Sequence, residues 1–276
     1  MSNTSRNNFL QIKEAYAGVF SALERTAAEL GIRFCLIGAQ SRDVWTKHLE
    51  LQIRETTDID YSVEMNDIEK WELLKKKLVE ECGFNADVRE PYRFHFQQQI
   101  IDIVPFGGIS VNNEVTLRDP VMVLSVAGFS ETSSNGLTLI EGWNVVTLPG
   151  LCFSKLISFS EKPHNRTKDF DDFLFILTNY GNILEEKLFA DKLFMEMITT
   201  GTDGDIAAAN LLAREICAVA GGNTQLCAQI TAVLLTKLNG YTVDEILNQY
   251  DDIRDYARNY KQLRLLAEVI TVLENT

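Results

Sequence analysis

No apolar run in this chain approaches the roughly 18–20 residues that a membrane span requires, so no membrane partner is expected. The first eight positions (Met1-Ser2-Asn3-Thr4-Ser5-Arg6-Asn7-Asn8) are polar and lack the apolar core of a signal peptide. A cytoplasmic address is the default expectation. Cysteine is sparse: five thiols (Cys35, Cys82, Cys152, Cys217, Cys227) stand apart with no CxxC pair. They read as buried free thiols of a reducing compartment. The three histidines (His48, His95, His164) are equally dispersed, which argues against zinc. Positive charge is short as well, since 26 Lys and Arg against 39 Asp and Glu leave a net charge of −13. Broad nucleic-acid faces draw most of their affinity from phosphate neutralisation. Extended nucleic-acid binding is therefore disfavoured, and small anionic substrates delivered as metal complexes fit better. No Walker A sequence occurs, which sets aside P-loop chemistry.

What is present is a globular composition, 46% hydrophobic and 24% charged, on a chain long enough for one large domain or two modest ones. Apolar spacing predicts a helix over Phe9 to Leu30, stopped by Gly31, and a short buried strand over Arg33 to Ile37. A helix over Ser41 to Leu51 is expected next, then a half-buried strand from Asp58 to Val63, where Asp58, Asp60 and Ser62 alternate with Ile59, Tyr61 and Val63. Asn66 or Asp67 caps a helix to about Glu81, which Gly83 ends. Strands follow over Tyr92 to Gln98 and Gln99 to Phe106, and the signals from Val121 to Leu148 are β-like throughout. Pro149-Gly150 marks a switch. Beyond it helices are predicted over Leu151 to Glu161, Lys168 to Asn179, Glu185 to Thr199, Asp205 to Val219, Thr224 to Leu238, and Val243 to the C-terminus.

The chemistry concentrates in three aspartates inside apolar, strand-like runs, where this residue type is depleted and rarely buried alone. Residues two apart on a strand share a face, so Asp58 and Asp60 project together. Two ionised carboxylates about 4 Å apart repel by roughly 4 kcal/mol at an effective dielectric near 20. A cation, an arginine or protonation must offset that cost. Magnesium suits such oxygen ligands. If the strand Ile100-Ile101-Asp102-Ile103-Val104 lies beside the first, Asp102 completes the ligand set of a two-metal site. Ahead of these acids, Phe34-Cys35-Leu36-Ile37 ends at Gly38-Ala39-Gln40-Ser41. A strand that ends in glycine and opens a helix offers backbone N–H groups to an anion, and Ser41 is a candidate hydroxyl for terminal phosphates.

Together the glycine–small turn, Arg54-Glu55-Thr56-Thr57-Asp58-Ile59-Asp60, the strand and exit turn Ile101-Asp102-Ile103-Val104-Pro105-Phe106-Gly107-Gly108, Lys155, and Arg166-Thr167-Lys168-Asp169-Phe170-Asp171-Asp172-Phe173 resemble a known pattern. They resemble the polymerase-beta-like nucleotidyltransferase superfamily, and within it the AbiEii/MenA-type toxin-like nucleotidyltransferases, over roughly Ile32 to Leu177. One departure is Gly38-Ala39 where many members carry Gly-Gly or Gly-Ser. A longer separation of turn and acids is another. The resemblance implies an α+β fold: a mixed nucleotidyltransferase-type sheet flanked by helices in residues 1–148, followed by an all-helical C-terminal domain in residues 149–276. It implies Mg2+ in a two-metal site, with an NTP as substrate. Asp58 and Asp60 would bind both metals, while Asp102 would bind the catalytic one and help deprotonate the acceptor hydroxyl. Lys155 joins the expected catalytic set. Gly38, Ser41, Arg54, Lys168 and Asp169 are the expected nucleotide contacts, with Asp169 and Asp172 orienting the lysines or binding Arg166. Arg54 is equally a structural partner for the acids.

The function expected is transfer of NMP from an NTP to an acceptor hydroxyl, on a tRNA 3′ end or on a protein, as a toxin restrained by an antitoxin partner. Modification of a small antibiotic is the alternative on the same scaffold. A non-catalytic nucleotide-binding or interaction module is the other.

Overall fold

The computed structural model describes residues 3–49, 57–239 and 253–275. The chain forms two compact units, Met1–Leu151 and Cys152–Thr276. In the first, helices α1 (Asn3–Ala15) and α2 (Ala17–Leu30) precede strand β1 (Phe34–Ile37), helix α3 (Gly38–Thr46) and a 3-10 turn (Lys47–Leu49). After β2 (Asp58–Glu64) and α4 (Ile68–Cys82) come β3 (Asn85–Ala86), β4 (Arg93–Phe96) and β5 (Gln99–Phe106). The hairpin β6 (Glu114–Leu117) and β7 (Met122–Ser125), helix α5 (Phe129–Asn135), and strands β8 (Leu137–Ile140) and β9 (Trp143–Val146) complete the unit.

Seven strands make one mixed sheet in the order β3-β4-β5-β2-β1-β9-β8. The β2–β5 and β1–β9 pairs are parallel and the others antiparallel. The class is α+β. Pleating sorts the side chains into two sets. Phe34, Leu36, Ile59, Tyr61, Val63, Ile101, Ile103 and Val145 align in register on one face, and all are buried. Phe20 of α2 packs edge-on against Tyr61 and Trp143, at 6.0 and 4.6 Å between ring centroids. Helix α4 is bounded as its caps dictate: the Asp67 carboxylate accepts the Lys70 N–H at 2.8 Å, and Gly83 closes the helix at φ +78°.

Several boundaries depart from the sequence expectations. The single helix expected over Phe9 to Leu30 breaks at Tyr16. There the Gln99 amide takes the Ala15 carbonyl at 3.0 Å, and a Cβ on Gly18 would sit 2.6 Å from the Phe96 ring. A tertiary contact thus overrides a continuous apolar stripe. Helix α3 begins at Gly38 rather than Ser41. The β-like stretch after Val121 contains helix α5, whose Phe-Ser-Glu-Thr-Ser-Ser-Asn sequence has too little helical propensity to announce it.

The second unit is helical: α6 (Leu148–Glu161), α7 (Thr167–Ile183), α8 (Glu185–Ala190), α9 (Lys192–Thr199), α10 (Gly204–Ala220), α11 (Thr224–Asn239) and α12 (Ile253–Glu274). Pro149 and Gly150 lie within the first turn of α6 instead of ahead of it, since proline needs no donor there, and Thr147 Oγ1 accepts the Gly150 N–H at 3.2 Å. The helix expected over Glu185 to Thr199 divides at Asp191, which leaves the helical path at ψ 126° and accepts the Phe194 N–H to cap α9. Alanine-rich α10 is the hub against which α7, α9, α11 and α12 pack. The beginning of the predicted last helix, residues 243–252, lies outside the described residues. No helix among the described residues is long and apolar enough to cross a membrane.

Phe94 anchors β4 to the apolar face, fully buried with the Trp71 and Phe84 rings at 6.4 and 6.2 Å. Phe94→Ala should therefore cost about 3–5 kcal/mol in urea unfolding. A loss below about 1 kcal/mol would show that β4 is not held there.

Candidate metal centre

Strand register assembles the site. Asp60 of β2 lies directly opposite Asp102 of β5, Ile37 of β1 opposite Asp60, and Arg93 of β4 opposite Asp102. Directly paired residues share a face of the sheet. Asp58, two positions before Asp60, joins them. One carboxylate oxygen from each of Asp58, Asp60 and Asp102 lies within 4.8 Å of the others. Asp58 and Asp60 are half-buried, whereas Asp102 is 7% exposed.

Gly38 forms the opposite wall. Its φ of +69° belongs to the left-handed region, and a Cβ there would fall 1.9 Å from Asp60 Oδ2. Only glycine lets β1 turn into α3 against that carboxylate. The first-turn N–H groups of α3 have no partner within the helix, as at any helix start. Ser41, expected to offer a hydroxyl to phosphate, is wholly buried and donates to the Gly38 carbonyl at 2.6 Å. Its hydroxyl braces the corner.

Residues to which the sequence reading gave no role belong to the same neighbourhood. Arg93 grips Asp102 with a two-pronged fork, Nε to Oδ1 and Nη2 to Oδ2, both at 2.7 Å. That pairing holds the guanidinium firmly protonated, well above its ordinary range. Tyr16 stands at the rim, where its oxygen accepts the Gln40 amide at 3.3 Å. Burial, and then the charges of Asp58, Asp43 and Asp60, push its phenol pKa up. Asp43 in turn accepts from buried Arg42 at 3.0 Å. The β4–β5 hairpin reverses at Gln97, which takes φ +55° without a turn-forming Asn-Gly or Asp-Gly pair. Locating that reversal would have paired residue 93 with residue 102.

Arg54 lies outside the described residues. Lys155 and Asp169 belong to the second unit, where Lys155 Nζ lies 3.0 Å from Asp169 and 2.7 Å from Asp172. Burial alone would lower the Lys155 pKa, but the two carboxylates outweigh it and raise the value. Arg166 approaches Asp169 at 3.6 Å, so Asp169 serves both cations, and Lys168 is exposed.

No family model and no curated protein matches the chain. Among solved structures, the solution structure of the antibiotic-resistance factor ANT(2'')-Ia is similar at 13% identity over 64% of this chain and 89% of its own, with a TM-score of 0.36. So loose an overlap identifies neither a family nor a substrate.

Magnesium fits the three-acid pocket by its donor set, because hard carboxylate oxygens converge where no side chain can enter from the glycine side. Two measurements follow from the geometry. Gly38→Ala should cost about 2–3 kcal/mol, falling to about 1 kcal/mol in an Asp60→Gly background, where the carboxylate and its Cβ are both removed and only the backbone strain remains. Equal costs in both backgrounds would contradict the assigned contact. Lys155→Met should cost about 3 kcal/mol at neutral pH by taking the cation from buried Asp172 and leaving Asp169 with Arg166 alone. The stabilisation from protonated Lys155 is complete below the unfolded lysine pKa of about 10.4 and is lost only as pH rises through the raised folded value. A wild-type denaturation midpoint that falls well below pH 10 while that of Lys155→Met falls in parallel would sink this attribution.

Proposed function

We propose that the protein is a magnesium-dependent nucleotidyltransferase that moves NMP from an NTP to an acceptor hydroxyl. The observation that carries this reading is the convergence of Asp58, Asp60 and Asp102 on one sheet face, against a corner that admits only glycine. Bound magnesium would neutralise charge on the phosphate and acceptor oxygens during in-line displacement. Asp58 and Asp60 would hold the cations between them. Asp102 would take the proton of the acceptor hydroxyl as its oxygen attacks the α-phosphorus and pyrophosphate leaves. Backbone N–H groups after Gly38 would receive the phosphates. Positioning and fixed charge supply most of the rate in such a reaction.

In this reading residues 1–148 are the nucleotidyltransferase domain and residues 149–276 the helical domain. Lys155, Lys168 and Arg54 supply positive charge to the triphosphate, and Asp169 orients the lysines. Buried between two aspartates, Lys155 would reach a phosphate only by exchanging one of those partners. The acceptor is a tRNA 3′ end or a protein hydroxyl in the cytoplasm. The net charge of −13 favours a protein or a small acceptor over long RNA. A toxin role with an antitoxin protein as partner belongs to the same proposal.

The decisive assay incubates the protein with magnesium, each labelled NTP, total RNA and a cell lysate. Transfer of label to RNA 3′ ends or to protein is expected, with loss of about 10²-fold or more in Asp60→Asn. Label transfer that is absent, or unchanged in Asp60→Asn, would refute the activity.

A further inference from the structure

We propose that the Tyr16 hydroxyl, steered by the Gln40 amide, is a substrate contact that donates its proton to a phosphate oxygen of the nucleotide. The proposal rests on the nucleotidyltransferase reading and adds to it a residue from outside the acid-bearing strands. Tyr16 occupies the break between α1 and α2, with backbone angles of φ −114° and ψ 30°. That break is pinned from two sides. On one side, Gln99 of β5 takes the Ala15 carbonyl at 3.0 Å, and the Phe96 ring leaves no room for a Cβ on Gly18. On the other, the buried Asn8 amide of α1 donates to the Val44 carbonyl of α3 at 3.1 Å. Tyr16 is thereby fastened at the end of the sheet where β1 finishes and β2 and β5 begin. That end carries Asp58 and Asp60.

The Gln40 amide donates to the Tyr16 oxygen at 3.3 Å, and Gln40 lies two residues after Gly38, in the first turn of α3. Gly38 in turn stands against the Asp60 carboxylate. Tyr16 thus ends a short chain of contacts that runs from the acids through the corner proposed to receive phosphates. Asp58, Asp43 and Asp60 all lie close enough to act on the phenol electrostatically. Among the described residues, however, the phenolic proton has no acceptor. A hydroxyl can accept and donate at once, so an amide on its oxygen turns the proton away from Gln40 and leaves it available. At neutral pH the phenol keeps that proton. A neutral donor among acids has a specific use. It can hold a phosphate oxygen without adding negative charge, and without the positive charge by which a lysine would repel a nearby cation.

The test titrates the full-length protein, in magnesium, with analogues of ATP, GTP, CTP and UTP that carry a methylene bridge between the α- and β-phosphates. Calorimetry gives the affinity, and urea unfolding gives the stability of each variant. Tyr16→Phe keeps the ring and is expected to weaken binding about tenfold, the scale of one hydrogen bond to a charged group. Gln40→Leu should weaken it about threefold alone and have no effect when added to Tyr16→Phe, because Gln40 acts through the phenol as a positioning residue. A merely structural tyrosine would move the urea midpoint and leave the affinity alone. Equal affinity in wild type and Tyr16→Phe overturns the proposal, as does a Gln40→Leu effect of the same size in both backgrounds. Should Tyr16→Phe fail to fold, unaltered affinity in Gln40→Leu overturns it. A loss in Tyr16→Phe that vanishes with inorganic triphosphate as the probe would place the contact on base or sugar, which also overturns it. Wild-type protein that binds none of the analogues contradicts the nucleotidyltransferase reading itself, an outcome distinct from failure at Tyr16 alone.

Discussion

The cross-strand register that sets Asp60 opposite Asp102 governs everything else in the first unit. A slip of one residue would send Asp102 to the apolar face and Ile101 or Ile103 to the acid face. The full burial of Ile59, Tyr61, Ile101 and Ile103 makes that slip prohibitively costly. The core therefore enforces the site. Ionised carboxylates no more than 4.8 Å apart repel by at least about 3 kcal/mol per pair at an effective dielectric near 20, of which the Arg93 charge offsets part at Asp102. The sheet carries that repulsion because its opposite face supplies the compensating burial.

Around this constraint the flanking strands have complementary duties. Strand β1 approaches Asp60 through Gly38, where even a methyl group would collide with the carboxylate. Strand β4 approaches Asp102 through Arg93, whose fork fixes the orientation of the acid and shares its charge. A small residue on one side and a cation on the other bound the carboxylate cluster. Phe94, next to Arg93 but on the opposite face, ties that arginine's strand to the core beside Trp71 and Phe84. Packing and chemistry meet in adjacent residues of one short strand.

Much of this was legible from the sequence, for identifiable reasons. Alternation in Asp58 to Val63 revealed the face shared by Asp58 and Asp60, and Asp67 with Gly83 bounded α4, because these signals are local. The fork between Arg93 and Asp102 was not legible. It depends on where the hairpin reverses, and Gln97-Gln98 is not a turn sequence. The break at Tyr16 depends on Gln99 and Phe96, more than eighty residues away in the chain for the former contact. The bond from Ser41 to the Gly38 carbonyl was not legible either, because it exists only once α3 starts at Gly38. Local patterns announced the elements and the acids. Pairings across the sheet decided which side chains brace them.

The most direct check is crystallographic: crystals soaked in Mn2+ and measured at a wavelength where manganese scatters anomalously. A strong anomalous peak bounded by Asp58, Asp60 and Asp102, across from Gly38, is what this account predicts. Manganese density elsewhere with none in that pocket, or an Asp102 carboxylate turned to the opposite face of the sheet, would contradict it.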